Sequence, residues 1–351
     1  MSQPVAHEKL GLLDRLERGP VICAEGYLFE FERRGYLQAG AFVPEVVLEH
    51  PELVAGLHRE FVHAGSDVVE AFTYYAHREK LRLIGKADLL ETMNRQALEI
   101  AKAVAAESGA LLAGDICNTN IFTPDDGARR TVREMFEEQV GWAVEAGADF
   151  IVGETYAFAE EALIATEVIR STGLPAVITL ALHQLPVTRE GWAPGDACKR
   201  LEDAGADVVG LNCIRGPKTM LPMLEAVRAS VSGHVAALPV PYRTTDEQPS
   251  FQSLRDPDYD AFPDGRPFPT ALDPFTCNRY EIADFTRAAR ELGVSYFGLC
   301  CGAAPHHVRS MAEALGRTPP ASRYSADMSK HAYLGSDATL KQANLEYVKD
   351  L

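Results

Sequence analysis

Hydrophobic and polar positions along the chain repeat one local pattern. An amphipathic helical stretch ends in Ala-Gly-x-Asp, and a short β-branched apolar run follows. Three copies and one looser copy have their apolar runs at residues 68–72, 150–154, 208–213 and 296–300. Glycine suits the left-handed residue that ends a helix. An unbroken apolar run is typical of a strand buried on both faces of a parallel sheet. The pattern therefore predicts helices that alternate with buried parallel strands.

Four further apolar runs complete a set of eight predicted strands: Val21–Ala24, Leu111–Ile116, Ala176–Leu182 and His234–Val240. Amphipathic stretches such as Leu89–Ser108 and Thr131–Ala146 separate most of the strands. Eight strand–helix units predict an α/β fold, a (β/α)8 TIM barrel. A doubly wound open sheet is the alternative. It is disfavoured in its nucleotide-binding forms, because no G-x-G-x-x-G follows the first strand and no P-loop motif occurs.

Two segments depart from this alternation. Residues 239–274 are rich in proline, aspartate and aromatic residues, which predicts a long loop after strand seven. We assign residues 1–318 to the catalytic barrel and residues 319–351 to a C-terminal extension. The extension carries apolar residues that a free tail would not need: Tyr324, Met328, Tyr333, Leu334, Leu340, Leu345 and Tyr347. We expect it to be an arm that docks on another subunit, with a frayed end as the alternative.

Composition narrows the possible partners. The 351 residues carry a formal charge of −16, with 46% hydrophobic and 24% charged residues, which is ordinary for a globular protein. An acidic chain repels nucleic-acid phosphates and anionic lipid, so neither partner is expected. No apolar run reaches a membrane span, and residues 1–18 lack the apolar core of a signal peptide. We expect a cytoplasmic protein, in which seven cysteines do not form a disulfide framework.

Three of the cysteines lie where strands of the predicted barrel end. Cys213 ends strand six, and Cys300 and Cys301 end strand eight. Active sites of such barrels lie at these strand ends. With Gly302 following, the backbone can turn so that all three sulfurs face one point, which predicts a Zn²⁺ site with an open fourth position. Buried cysteines or a vicinal disulfide are the alternatives. The remaining cysteines are interpreted as core or surface residues: Cys23, Cys117, Cys198 and Cys277.

The expected chemistry follows from the ligand set. A zinc ion on three thiolates holds a substrate thiol as its thiolate near neutral pH. The sequence therefore predicts alkylation of a thiol, by a methyl group on a good leaving group. A neutral leaving group needs no general acid, so no catalytic side chain is expected beyond the metal ligands. A zinc-storage or redox-sensing protein without turnover is the non-enzymatic alternative, and the carboxylates expected at the barrel mouth argue against it.

Between Arg15 and Leu315 the chain resembles the zinc-dependent homocysteine S-methyltransferases, most of all the betaine-using branch. The segments that carry the resemblance are Glu25-Gly26 and residues 31–36, 64–68, 72–75, 210–213 and 298–302. The resemblance implies a zinc barrel whose ligands match Cys213, Cys300 and Cys301, and an oligomeric state. It also implies that Glu25 and Glu154 hold the amino group of homocysteine, and that Gly26 is among the substrate-binding residues. The family usually has aspartate where Glu25 stands. In the betaine branch, the residue after the second glutamate is a tyrosine that can fill the open zinc position. In this chain that residue is Thr155, and Tyr156 follows it.

Aromatic residues near the predicted mouth favour an onium donor. Phe42 follows strand one, and Tyr74 and Tyr75 follow strand two. Aromatic faces attract a quaternary ammonium group, so we expect methyl transfer from glycine betaine to homocysteine, giving dimethylglycine and methionine. The betaine branch usually has tryptophan where Phe42 stands, which leaves proline betaine and dimethylsulfoniopropionate open as donors. S-methylmethionine ranks second. His331 in the tail could meet the donor carboxylate, although a surface position is the preferred interpretation.

Overall fold

The computed structural model describes residues 9–258, 265–324 and 326–349. Eight parallel strands close into a barrel in the order β1 to β8, and β8 pairs with β1. The strands are β1 Val21–Ala24, β2 Val68–Glu70, β3 Leu111–Cys117, β4 Phe150–Tyr156, β5 Ala176–Leu180, β6 Val208–Asn212, β7 His234–Leu238 and β8 Tyr296–Leu299. The predicted (β/α)8 barrel is confirmed, and the open-sheet alternative is wrong.

Helices surround the barrel and connect its strands. They are α1 Leu12–Arg18, α2 Tyr27–Arg33, α3 Val46–Glu49, α4 Pro51–Ala64, α5 Arg78–Leu83, α6 Leu90–Ser108, α7 Asp126–Ala146, α8 Ala159–Ser171, α9 Pro194–Asp203, α10 Pro217–Ser230, α11 Arg279–Glu291, α12 Pro305–Ala314 and α13 Gln342–Tyr347. Helix α7 begins at Asp126 rather than at the predicted Thr131. The reason is a cap: the Asp125 side chain accepts hydrogen bonds from the amides of Gly127 and Ala128.

The repeated Ala-Gly-x-Asp pattern has a structural explanation in two parts. Each glycine has a positive φ where its helix ends, for example +118° at Gly65. Each aspartate then accepts a hydrogen bond from a backbone N–H of the preceding strand. Asp67 bonds Ile22 of β1 at 2.8 Å, Asp149 bonds Leu112 of β3 at 2.7 Å, and Asp207 bonds Ala176 of β5 at 2.9 Å. The pattern therefore ties strands together in pairs at the end of the barrel away from the site.

Two layers of apolar side chains form the core. One fills the barrel interior and includes Val21, Leu111, Phe150, Val177 and Tyr296. The other lies between the sheet and the helices. Several strands are shorter than the apolar runs that predicted them, because the last residues of those runs turn into the loops above the barrel. Residues 239–258 and 265–274 form the long loop after β7 as predicted, broken by a short 3₁₀ turn at Asp273–Phe275.

The first residues of the C-terminal extension contact α12, where Arg309 donates to the Tyr324 carbonyl and the Ser322 hydroxyl donates to Glu313. After a 3₁₀ turn at Pro320–Ser322, the extension carries a second turn at Met328–Lys330 and then α13. Most of its apolar side chains are exposed, and Tyr324, Leu334 and Tyr347 are each at least 70% accessible. The extension therefore presents an apolar surface that its own barrel leaves uncovered. In the part of the chain that the structure describes, no helix is both long and apolar enough to cross a membrane.

Candidate metal centre and substrate pocket

Three thiols converge at the carboxyl ends of β6 and β8. The sulfur of Cys301 lies 3.8 Å from that of Cys213 and 3.8 Å from that of Cys300, and all three residues are buried. Sulfurs bound to one tetrahedral zinc at about 2.3 Å lie about 3.8 Å apart. Two of the three sulfur–sulfur distances match this value, and all three sulfurs lie within 4.8 Å of one another, so this donor set fits a zinc ion.

The backbone at both strand ends produces this convergence. The Cys213 amide donates to the carbonyl of Leu238, the last residue of β7. The Cys300 amide donates to the carbonyl of Pro239, the first residue of the loop after β7. Gly302 has φ +92°, and a β-carbon there would lie 2.1 Å from the Tyr242 hydroxyl oxygen. Only glycine can turn the chain at this place. The turn lets two consecutive cysteines face the same point.

The electrostatics of the thiol cluster suit a cation. The neighbouring thiols of Cys300 and Cys301 hold the pKa of Cys213 well below its usual range. Burial raises the pKa of Cys300. A cation held by Cys213, Cys300 and Cys301 would stabilise all three as thiolates.

Asn212 connects the thiols to Glu154. Its amide nitrogen donates to Glu154 Oε2 at 2.5 Å and to Thr155 Oγ1 at 2.9 Å, and it lies 3.9 Å from the Cys300 sulfur. Its amide oxygen accepts from the Thr155 backbone at 2.9 Å, and the Thr155 hydroxyl donates to Glu154 Oε2. Glu154 is thus held in one orientation beside the candidate metal ligands. The sequence places Asn212 next to Cys213 but gives no sign of this bridging role.

An acidic recess lies beneath the thiols. Glu25, Glu70, Asp115 and Glu154 all line it together with Cys300 and Cys301. Both carboxylate oxygens of Glu25 have no hydrogen-bond partner among the described residues. Burial, followed by the charges of neighbouring carboxylates, raises the pKa of Glu25, and burial raises the pKa of Glu70 to about 8. The recess is suited to a cationic group such as an ammonium. Glu70 and Asp115 were not among the predicted site residues.

Gly26 has a packing role beside this recess. It precedes α2, and a β-carbon on it would lie 2.5 Å from the carbonyl oxygen of Ala303. The loops after β1 and β8 therefore approach each other closely only because residue 26 is glycine. This contact keeps Glu25 near the thiols of β8.

A larger pocket of about 400 Å³ opens above the thiols, and Cys213 and Cys301 form part of its wall. The three aromatic residues predicted for the donor pocket all line it, and the rings of Tyr74 and Tyr75 lie 4.3 Å apart. The Lys80 ammonium sits 3.9 Å from the centre of the Tyr75 ring, so one face of this ring already holds a cation. Five phenylalanines that the sequence did not single out complete the aromatic wall: Phe29, Phe122, Phe158, Phe251 and Phe268.

Strained backbone is concentrated at this pocket. Across the described ranges, six non-glycine residues have a positive φ: Phe42, Tyr75, Asn120, Thr155, Cys213 and Ile214. All six line the pocket. Such conformations are costly and persist where the surrounding structure enforces them, commonly at functional sites. Their position supports the pocket as the working site of the protein.

The residues after Glu154 show whether a tyrosine from this strand end lies at the thiols. Thr155 lines the aromatic pocket described above, whereas Tyr156 is fully buried and packs against Phe136. No tyrosine from the end of β4 therefore reaches the thiols. His331 also lies elsewhere: its ring accepts hydrogen bonds from the Tyr333 and Leu334 amides within the extension. It does not line the pocket of its own chain.

The other four cysteines are buried and lie outside the three-thiol cluster. Cys23 donates to Glu70 at 3.2 Å, and the Cys117 sulfur accepts from the Tyr75 amide at 3.3 Å. Cys198 lies against the Gly210 carbonyl. These contacts agree with structural roles.

Comparison with known proteins gives three findings. The model of the family described as homocysteine S-methyltransferase matches residues 26–315. Betaine–homocysteine S-methyltransferase 1 of Xenopus tropicalis is 35% identical over 343 residues, which cover 93% of this chain and 80% of that protein. An S-methylmethionine–homocysteine S-methyltransferase of Mus musculus is 35% identical over 339 residues, which cover 93% and 87%.

The fold has a solved counterpart. The metallated form of the homocysteine methyltransferase MmuM from Escherichia coli superposes with a TM-score of 0.66 at 16% identity. The match covers 85% of this chain and 98% of that one. At this level of identity the match supports the barrel architecture alone.

Proposed function

Because the chain belongs to the homocysteine S-methyltransferase family, we propose that it transfers a methyl group from a quaternary ammonium donor, with glycine betaine the first choice, to the homocysteine thiol at a Zn²⁺ site. The proposed zinc ligands are Cys213, Cys300 and Cys301. The chain is a homocysteine S-methyltransferase, so the alternative of a zinc-storage or redox-sensing protein is set aside. The donor, the metal and the roles of individual residues are the proposal.

One observation carries the proposal: the thiol cluster lies between two different cavities. Cys300 and Cys301 line the acidic recess, and Cys213 and Cys301 line the aromatic pocket. The acidic recess is small, with room of about 10 Å³ for a water-sized group, so it suits the ammonium end of a thiol acceptor and not the whole molecule. A methyl donor with an onium group fits from the aromatic side. The two reactants then meet at the sulfurs.

In the proposed mechanism, Glu154 accepts hydrogen bonds from the acceptor ammonium, and Glu25 supplies a second carboxylate. The buried position of both groups strengthens this charge-assisted contact. When bound, zinc on three thiolates keeps the acceptor thiol deprotonated near neutral pH.

The residues of the aromatic pocket bind and orient the methyl donor. Tyr74, Tyr75 and Phe42 present aromatic faces to its onium group and exclude water. The acceptor sulfur forms a bond to the methyl carbon as the carbon–nitrogen bond breaks, and the electron pair stays on nitrogen. Dimethylglycine and methionine result, and no proton is needed by the neutral amine that leaves.

A donor panel with homocysteine tests the proposal, read together with the zinc content of the purified chain. We expect about one zinc per chain, and betaine as the best donor. Cys213→Ser should lose zinc and activity together, whereas Cys198→Ser, a buried thiol away from the cluster, should keep both. Stoichiometric zinc in a variant that lacks all three ligand thiols would refute the metal assignment.

S-methylmethionine is the second candidate donor, because a relative named for that donor matches this chain at the same 35% identity as one named for betaine. If S-methylmethionine gives the highest kcat/KM, or if Tyr75→Ala leaves betaine turnover unchanged, the aromatic cage for a quaternary ammonium is the wrong interpretation.

A further inference from the structure

The aromatic pocket has a cationic part that the proposed mechanism does not use. The loop after β5 contributes His183 and Arg189 to the lining. A cation in the wall is unexpected in a pocket for an onium donor, because two positive charges repel each other at short range. Arg189 therefore weakens binding of a donor that carries only positive charge, and favours a donor that also carries an anion.

The order of the strands places the loop with His183 and Arg189 away from the three aromatic residues that the sequence predicts for the donor pocket. In a closed barrel of eight strands, β5 lies across from β1. Phe42 follows β1, and Tyr74 and Tyr75 follow β2. A donor whose onium group lies against these rings therefore has its other end directed towards the β5 side of the mouth.

The β5 loop is held in a defined conformation. The guanidinium of Arg215, a residue only 6% exposed, donates to the carbonyls of Leu182 at 3.1 Å, His183 at 2.6 Å and Gln184 at 2.9 Å. The backbone amide of Arg189 donates to the Ala157 carbonyl at 2.8 Å. The loop is thus fixed at both ends of the segment that carries the two side chains. Binding a ligand there does not require the backbone to become ordered first.

The two side chains differ in what they offer. The Arg189 side chain is exposed at the rim of the pocket, and its planar guanidinium can bind a carboxylate through two parallel hydrogen bonds. Burial, with Arg189 second, lowers the pKa of His183. Its ring can donate a hydrogen bond beside the Arg189 guanidinium, and the pair is suited to one carboxylate.

We propose that Arg189, assisted by His183, binds the carboxylate of the methyl donor, so that the enzyme selects zwitterionic onium donors over purely cationic ones. The inference rests on the proposed function and adds to it the part of the site that recognises the donor's anionic end. It covers carboxylate-bearing ammonium and sulfonium compounds alike, and it excludes choline, which shares the trimethylammonium group of glycine betaine but lacks a carboxylate.

The test compares wild-type enzyme with Arg189→Ala and Arg189→Lys, using glycine betaine and choline as donors. Arg130→Ala removes an equal charge from an exposed position on α7, outside the pocket, and is the control. We expect Arg189→Ala to raise the betaine KM about 10- to 100-fold with little change in kcat, as for the loss of a charge-assisted contact. Arg189→Lys should recover part of the loss. Choline turnover should stay negligible or improve.

The homocysteine KM distinguishes the donor carboxylate from that of the acceptor. If Arg189→Ala raises only the homocysteine KM, or leaves both KM values within twofold of those of Arg130→Ala, the inference is wrong while the proposed function stands. Calorimetric binding of glycine betaine gives a readout that does not depend on turnover. If wild type binds betaine more tightly than Arg189→Ala but methylates nothing with it, the proposed function fails and the carboxylate site is retained. Equal affinity in both proteins overturns the site.

Discussion

Replacing Asn212 tests whether one buried amide holds the acceptor site in shape. The residue is 1% exposed, and its amide contacts the Glu154 carboxylate, both the backbone and the hydroxyl of Thr155, and the Cys300 sulfur. Asn212→Ala leaves the Thr155 amide without its acceptor and takes the amide donor from Glu154. Each buried group that loses its partner costs about 1–3 kcal/mol. We therefore expect the free energy of unfolding to fall by roughly 2–6 kcal/mol.

Function should fall for a separate reason. The carboxylate of Glu154 loses the contact that orients it, so the homocysteine KM should rise about tenfold or more. Zinc affinity, measured by competition with a chelating dye, should fall about 10- to 100-fold, since the Asn212 amide lies against a ligand sulfur. Asn212→Asp keeps the shape but places a second carboxyl beside Glu154. The two cannot both ionise readily, so this variant should bind homocysteine even more weakly at neutral pH.

Asn94 supplies a matched control. It is also 1% exposed, and its amide donates to the Ala76 and Leu90 carbonyls and accepts from Gln139, outside the linings of the two cavities. Asn94→Ala should lose a similar amount of stability and keep both the homocysteine KM and the zinc affinity. If Asn212→Ala behaves like Asn94→Ala in all three measurements, the bridging amide has only a structural role and the reasoning is refuted.

Three further predictions follow from the recess and the extension. Glu154→Gln should raise the homocysteine KM at least tenfold and change the zinc content little, because the lost ammonium contact is worth about 1.5–3 kcal/mol; an unchanged KM contradicts the role of Glu154. The pKa of Glu70 is raised by burial to about 8, against about 4.3 in an unfolded chain. Its proton is therefore kept on folding between these values, and wild-type stability should fall as pH rises through that window. Glu70→Gln should flatten this part of the pH–stability curve in denaturant titrations, and an unaltered slope counts against the buried acid. A chain that ends at Pro320 should show a smaller mass by light scattering than the full chain, because the exposed apolar residues of the extension are proposed to bind a second copy; an unchanged mass leaves the extension without that role.

The sequence predicted the parts of the fold that depend on local pattern. The observed β1 has the predicted limits, because a strand buried on both faces is apolar along its whole length. The positions of Cys213, Cys300 and Cys301 followed from the same reasoning, since the end of a barrel strand marks the active face. Phe42, Tyr74 and Tyr75 also lie in the predicted pocket.

Other parts of the site depend on contacts between distant segments, and no local pattern signals them. Phe251 reaches the pocket because the long loop after β7 folds back, where its ring packs 5.9 Å from Phe29. Arg189 lines the pocket from a β5 loop that is held by Arg215 and by the Ala157 carbonyl, both distant in sequence. Glu70 was visible within an apolar run, yet its proximity to Asp115 and Glu154 requires the closed barrel. Such residues become visible once the strand order is known.

The thiols and the donor-facing side chains belong to different parts of the barrel, and this separation has a consequence for how the enzyme can diverge. The thiols sit at the ends of β6 and β8, and the backbones of Cys213 and Cys300 are hydrogen-bonded to the end of β7. The side chains that face the donor come largely from loops after other strands. Under the proposed function, substitutions in those loops exchange one methyl donor for another and leave the three thiols unchanged. Donor preference is therefore an evolvable property of the rim, and transplanting the β5 loop between homologues is a direct way to redesign it.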